Sequence, residues 1–123
     1  DFIKRLKDLK NMRVSIGTKQ MGTNITAMFI QEITGIKWLN IEFDLEKSLK
    51  MLFSDQIDAF FFVGSAPIKR LTELSSAMKY ELRLVPIEDE NLTAYYTKAQ
   101  IKAGTYPWCK TDYKQRVTQN GMK

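Results

Sequence analysis

An α/β fold, three layers deep with helices on both faces of a mostly parallel sheet, is predicted by three features of this sequence. Segments of strand character alternate with segments of helical period across short connections. The run Ile57-Asp58-Ala59-Phe60-Phe61-Phe62-Val63 is nearly continuous in apolar character, as a central parallel strand covered on both faces requires. Glycine or proline stands where strands open onto helices, at Gly17, Gly64 and Pro67. With 123 residues, 44% of them hydrophobic and 11% aromatic, the chain has the material for one core, and residues 1–123 are read as a single α/β lobe.

The elements follow in order. Phe2, Ile3, Leu6 and Leu9 share one face of a short helical segment, and residues 12–16 alternate as a strand. Residues 22–34 place Ile25, Met28, Phe29 and Ile33 at helical spacing, and Gly35 suits a left-handed helix terminus. Leu39, Ile41 and Phe43 alternate with Asn40 and Glu42 as a second strand. Asp44 then caps a helix striped by Leu45, Leu49, Leu52 and Phe53. Residues 57–63 form the third strand, and Pro67 opens a helix carrying Ile68, Leu71, Leu74 and Met78. Leu82, Leu84 and Pro86 close a fourth strand. Beyond the acidic turn Glu88-Asp89-Glu90, residues 91–98 are expected as helix, and the chain from Ala99 as irregular, broken by Gly104, Pro107 and Gly121.

Composition removes several functional classes. Histidine is absent, which takes away the commonest general base, the serine-type triads and most zinc sites. Cys109 is the single cysteine, so it has neither a disulfide partner in the chain nor a histidine to activate it. Asp58 and Glu32 lack a partner at catalytic spacing, and Asp58, at the start of its strand, is expected to tie the preceding turn. No enzyme and no cofactor is therefore expected. The 19 basic and 14 acidic residues leave a net charge of +5, but the lysines are dispersed along helical faces and the aromatics lie in apolar runs, which argues against nucleic acid. No stretch reaches the roughly 20 apolar residues of a membrane span. The chain opens on Asp1 rather than an initiator Met and is read as an excised or processed piece of a longer protein.

In an open parallel sheet, ligands bind beyond the carboxyl ends of the strands. Two loops lie there. In Gly17-Thr18-Lys19-Gln20-Met21-Gly22-Thr23-Asn24, glycines permit close backbone approach, Thr18, Thr23 and Asn24 offer donors, Lys19 adds charge, and the following helix N-terminus favours an anion. The same loop also suits an ordinary turn in which Thr23 or Asn24 only caps the helix, and it matches neither nucleotide-binding glycine fingerprint. In Val63-Gly64-Ser65-Ala66-Pro67 small residues leave room for a ligand, with Ser65 as donor; a tight turn before a helix is the other reading. A third feature, Ile101-Lys102-Ala103-Gly104-Thr105-Tyr106-Pro107-Trp108, presents a rigid ring, Tyr106 or Trp108, either to a pocket or to the core.

Taken together, these loops resemble the second domain of TAXI-type solute receptors of TRAP transporters. Leu9-Lys10-Asn11-Met12-Arg13-Val14-Ser15-Ile16-Gly17 is similar to that family's D-L-K-G-K-R-V-A-V-G, and Met21-Gly22-Thr23 stands at its S-G-T. The run from Ile57 to Pro67 is similar to V-D-A-A-F-F-V-G-G-A-P, and Leu82-Arg83-Leu84-Val85-Pro86-Ile87 and Ala103-Gly104-Thr105-Tyr106-Pro107 continue the likeness. The resemblance implies the second lobe of a two-lobed type II periplasmic binding protein that captures a small carboxylate-bearing solute, of the acidic amino acid or organic acid class, without chemical change. It further implies a periplasmic location, TRAP membrane permease subunits as partners, and a chain at most peripheral to the membrane. Mapped onto this sequence, Thr18, Lys19, Met21, Gly22, Thr23 and Asn24 line the cleft from the first loop and Gly64, Ser65 and Ala66 from the second, with Tyr106 near its mouth. Met21 replaces the family's serine, removing a hydroxyl and adding a flexible apolar group, and Trp108-Cys109-Lys110 departs from the glycine and polar residues usual there. The alternative is a ligand-sensing domain of a signalling or regulatory protein, since related two-lobed domains serve as effector domains.

Overall fold

The computed structural model describes residues 3–64, 69–73, 84–87, 89–101 and 113–118. They form an α/β fold divided into two compact units, one of Asp1–Ile3 and Lys7–Val63, the other of Lys4–Leu6 and Gly64–Lys123.

The first unit holds β1 (Arg13–Ser15), α1 (Gly22–Thr34), β2 (Leu39–Ile41), α2 (Leu45–Phe53) and β3 (Ala59–Phe60). The three strands are parallel in the order β2-β1-β3, with Val14 beside Asn40 on one flank and beside Ala59 on the other. Backbone bonds beyond the strands extend both ladders, from Ile16 N–H to the Ile41 carbonyl at 2.8 Å and from Phe61 N–H to the Ser15 carbonyl at 2.9 Å. Side chains alternate across a strand, so Val14 and Ser15 face opposite ways. Ser15 meets Ser48 of α2, their hydroxyls 2.7 Å apart, whereas Asn40, level with Val14, donates to Gln31 of α1 at 3.1 Å. The two helices therefore cover opposite faces, giving the layers helix, sheet, helix.

Leu9, Val14, Ile16, Ala27, Ile30, Trp38, Leu49 and Ile57 make the buried core of this unit. Trp38 and Phe61 stack at a 32° tilt with ring centroids 5.2 Å apart. Two polar side chains are buried on the α2 face, Ser15 and Ser48. Each lies near the Phe43 carbonyl, and Ser15 Oγ also accepts from Phe43 N–H at 3.3 Å, so the central strand carries a hydroxyl without leaving it unpaired.

Helix boundaries follow local chemistry. The Asp44 carboxylate accepts from Lys47 N–H at 2.9 Å and starts α2, and Gly35, at φ 73°, ends α1 in the left-handed conformation expected of it. The stripe of α1 does not follow expectation. Its buried residues are Thr23, Ala27 and Ile30, while Ile25 is 68% and Met28 44% exposed, and Phe29 and Ile33 are half-buried. The face turned inward begins with Thr23, whose side chain sits over Gly17 beyond the end of β1, and continues through Ala27 and Ile30 in place of the larger apolar side chains on the next stripe.

In the second unit, α3 (Lys69–Thr72) is the described part of the helix expected after Pro67, and Leu71 is buried in it; Ile68, Leu74 and Met78 lie outside the described residues. Leu6 and Leu92 are also buried in this unit. Residues 84–87 are neither strand nor helix, so the fourth strand expected there is absent among them, and Leu82 lies outside the described residues. The expected helix over 91–98 is replaced by a 3-10 turn at Glu90–Leu92 and a strand, β4 (Tyr96–Ile101). Asp89 caps the turn by accepting from Asn91 N–H at 2.8 Å. From Ala99 the chain is not irregular throughout. β4 pairs antiparallel with β5 (Tyr113–Thr118), in a register running from Tyr96 opposite Thr118 to Ile101 opposite Tyr113. Aromatic and β-branched residues at Tyr95, Tyr96 and Thr97 favour extended backbone, and a paired partner strand outweighs the weak helical period.

Candidate functional site

With strand order β2-β1-β3 and helices on opposite faces, the chain leaves β1 toward one side and returns past it to β3. The crevice of such a sheet lies beyond the carboxyl ends of β1 and β3. The loop after β1 and the segment after β3 do meet there. Val63 N–H donates to Thr23 Oγ1 at 3.0 Å, a side-chain bond spanning 40 residues of sequence.

The first loop is built around Gly17, at φ 82°, which turns the chain out of β1. A Cβ at this glycine would stand 3.1 Å from Thr23 Cβ, so the absence of a side chain lets the first turn of α1 close onto the strand end. Asn24 braces the same turn, its amide nitrogen donating to the Gly17 carbonyl at 3.0 Å. The Glu42 carboxylate lies 3.5 Å from that nitrogen, and because both neighbours are acceptors the amide orientation is settled. Met21, not Thr23 or Asn24, is the N-cap residue of α1, and it provides no side-chain cap. By position, Gly22 and Thr23 N–H lack intrahelical acceptors, and the first turn holds no acidic residue. The helix end is thus an uncapped, partly positive group of donors.

Of the residues expected in the site, Thr18, Lys19, Met21, Gly22, Thr23 and Asn24 come together around this turn. Lys19 and Gly22 are exposed, Thr18, Met21 and Asn24 half-buried and Thr23 buried. Gly64 follows Val63 in the chain, is half-buried and belongs to the second unit. Ser65, Ala66 and Tyr106 lie outside the described residues. Two contributors were not foreseen, Glu42 as a neighbour of Asn24 and Val63 as the partner of Thr23. The signal for Glu42 was available: it follows the last residue of β2, and in a parallel sheet the carboxyl ends of neighbouring strands share one edge.

Asp58 lies at the opposite end of the sheet. It does not tie the turn before it; its carboxylate accepts from the Arg13 N–H at 2.8 Å, Nε at 3.1 Å and a terminal guanidinium nitrogen at 2.9 Å, clamping β3 to β1. Hydrogen bonding from Arg13 holds the Asp58 carboxyl below its ordinary range, against a smaller opposing effect of burial. The pair consequently adds stability at neutral pH, which is lost as pH falls below about 4 through the depressed value. The Asp58 side chain is 28% exposed, so the effect is modest. Urea unfolding at pH 7 and pH 3 should show a smaller acid loss in Asp58→Asn than in the wild type; equal losses would remove this pair from the account.

Among the described residues no cluster of three or more His, Cys, Asp or Glu is placed to hold a metal ion, and no helix is long and apolar enough to cross a membrane. What the crevice does offer is a donor-rich helix end beside the carboxyl edge of a parallel sheet, suited to holding a small polar molecule. The model of the NMT1-like family matches residues 2–119, nearly the whole chain. The chain therefore belongs to the NMT1-like family, a binding-protein family of periplasmic solute-binding type whose members are typically extracytoplasmic.

Proposed function

We propose that residues 1–123 form the contiguous second lobe of a type II periplasmic binding protein, a TAXI-type receptor. It delivers a small carboxylate-bearing solute to the permease subunits of a TRAP transporter and performs no chemistry on it. The supporting observation is the uncapped N-terminus of α1, without an acid in its first turn, at the crevice where Val63 meets Thr23. An anionic oxygen seated there accepts from Gly22 and Thr23 N–H, and Lys19, exposed on the same loop, adds attraction. Gly64, Ser65, Ala66 and Tyr106 complete the site in this reading, on the strength of the resemblance of their loops to the TAXI pattern. Periplasmic capture also fits the family's character.

The test is a titration of the 123-residue chain with acetate, succinate, L-glutamate and L-aspartate, followed by amide chemical shifts and calorimetry. Gly22 and Thr23 amides are expected to shift with at least one of these, and Lys19→Gln to weaken that affinity on the order of threefold to tenfold. A folded chain whose Gly22 and Thr23 amides ignore the whole panel would overturn the carboxylate assignment.

A further inference from the structure

The Thr23 side chain is spent on the protein itself. It is 2% exposed, its Cβ and Cγ2 fill the space above Gly17, and its Oγ1 accepts the Val63 N–H at 3.0 Å. Val63 has left the β-ladder, since the last backbone bond from β3 to β1 is Phe61 N–H to the Ser15 carbonyl. Among the described residues, the chain beyond Phe61 is tied to the first turn of α1 through the Thr23 hydroxyl.

We infer that Thr23 is a positioning residue of the crevice: its hydroxyl holds the Val63 backbone against the Gly17 turn and so sets the separation of the chain leaving β3 from the first turn of α1. This rests on the crevice being the solute site and goes beyond it, because it removes the Thr23 hydroxyl from direct solute recognition and leaves that to backbone N–H groups. Specificity for the solute is then carried by loop spacing, which a threonine and an opposing glycine jointly fix.

Residue-resolved hydrogen exchange on the whole chain, without any ligand, decides the matter. Thr23→Val keeps the branched shape against Gly17 but cannot accept a hydrogen bond; Thr23→Ser keeps the acceptor. The Val63 amide is expected to exchange about tenfold faster in Thr23→Val, with Ile16 and Ser48 amides within about twofold of wild type, and to recover in Thr23→Ser. Unchanged Val63 exchange in Thr23→Val overturns the inference. If that variant fails to fold, Thr23→Ala, which retains the Cβ over Gly17, takes its place with the same expectations. A titration with L-glutamate separates this role from direct contact: weakened binding in Thr23→Val with Val63 protection intact means that the hydroxyl touches the solute, and the positioning role falls. Absence of any response to the acetate, succinate, glutamate and aspartate panel in the wild type speaks against the carboxylate reading alone, because the exchange experiment stands without it.

Discussion

Gly17→Ala is expected to destabilise the fold by about 2–3 kcal/mol, and more than the same change at Gly35. Both glycines have positive φ, 82° and 73°. Each substitution therefore carries the roughly 1–2 kcal/mol that an L side chain meets in left-handed backbone, less a few tenths gained from restricting the unfolded chain. The difference lies in the surroundings. At Gly35 an added Cβ meets nothing within 4 Å, whereas at Gly17 it comes within 3.1 Å of Thr23 Cβ and 3.3 Å of Thr23 Cγ2. Those atoms are branched and buried on a helix, so relief requires the first turn of α1 to move, at about 1 kcal/mol or more of overpacking. That movement separates Thr23 Oγ1 from Val63 N–H, so the substitution opens the crevice as well as weakening the fold. Chemical denaturation of Gly17→Ala and Gly35→Ala side by side isolates the steric part. Equal losses would mean that the α1 turn yields without strain, and the tight joint between the loops would lose its support.

How much of this was legible in the sequence depends on how local the cause is. The β-α-β-α-β rhythm of residues 12–60 was legible because each element carries its own period and its own stop signal: Asp44 for the start of α2, Gly35 for the end of α1. The buried face of α1 was not, because hydrophobic spacing points to Ile25 and Met28, while the face turned inward carries Thr23, Ala27 and Ile30, with Thr23 seated over Gly17. A one-dimensional pattern records which residues are apolar, not which face turns inward. The β4–β5 pair was missed for a related reason. Its two strands are 11 residues apart and neither carries a long apolar run, so pairing decides their conformation. For the candidate site, the first loop could be placed by the rule that ligands gather at strand carboxyl ends. The bond from Val63 to Thr23 could not, since it joins residues 40 apart through a hydroxyl that reads equally well as a ligand donor.

The division of labour across the sheet follows from the same geometry. The amino end is closed by Arg13 and Asp58, a charged clamp with three hydrogen bonds. The carboxyl end is held by the Thr23 hydroxyl and the Asn24 amide, with the Glu42 carboxylate 3.5 Å from that amide, and the first turn of α1 itself holds no acid. An acid in the first turn of α1 would add helix stability and would compete with the anion proposed to bind there.

Trp38→Ala is expected to remove about 3–5 kcal/mol, the largest single loss in the first unit and a large share of the total stability of a chain this size. Trp38 is 4% exposed, and its ring packs against Phe61, reaching across the buried central strand on the α1 face of the sheet. Deleting it leaves a cavity beside the Phe61 ring that the surrounding side chains fill only in part. Trp38→Phe is a sharper probe. The indole Nε1 is buried with no hydrogen-bond partner among the described residues, so phenylalanine removes an unsatisfied donor while keeping an aromatic ring against Phe61. The lost volume and the removed orphan donor act in opposite directions, and Trp38→Phe is expected to fall within about 1.5 kcal/mol of wild type. Paired unfolding curves decide between volume and polarity as the source of the residue's contribution. A Trp38→Phe loss as large as that of Trp38→Ala would mean that the indole nitrogen makes an essential bond, and the apolar account of this side of the core would fall with it.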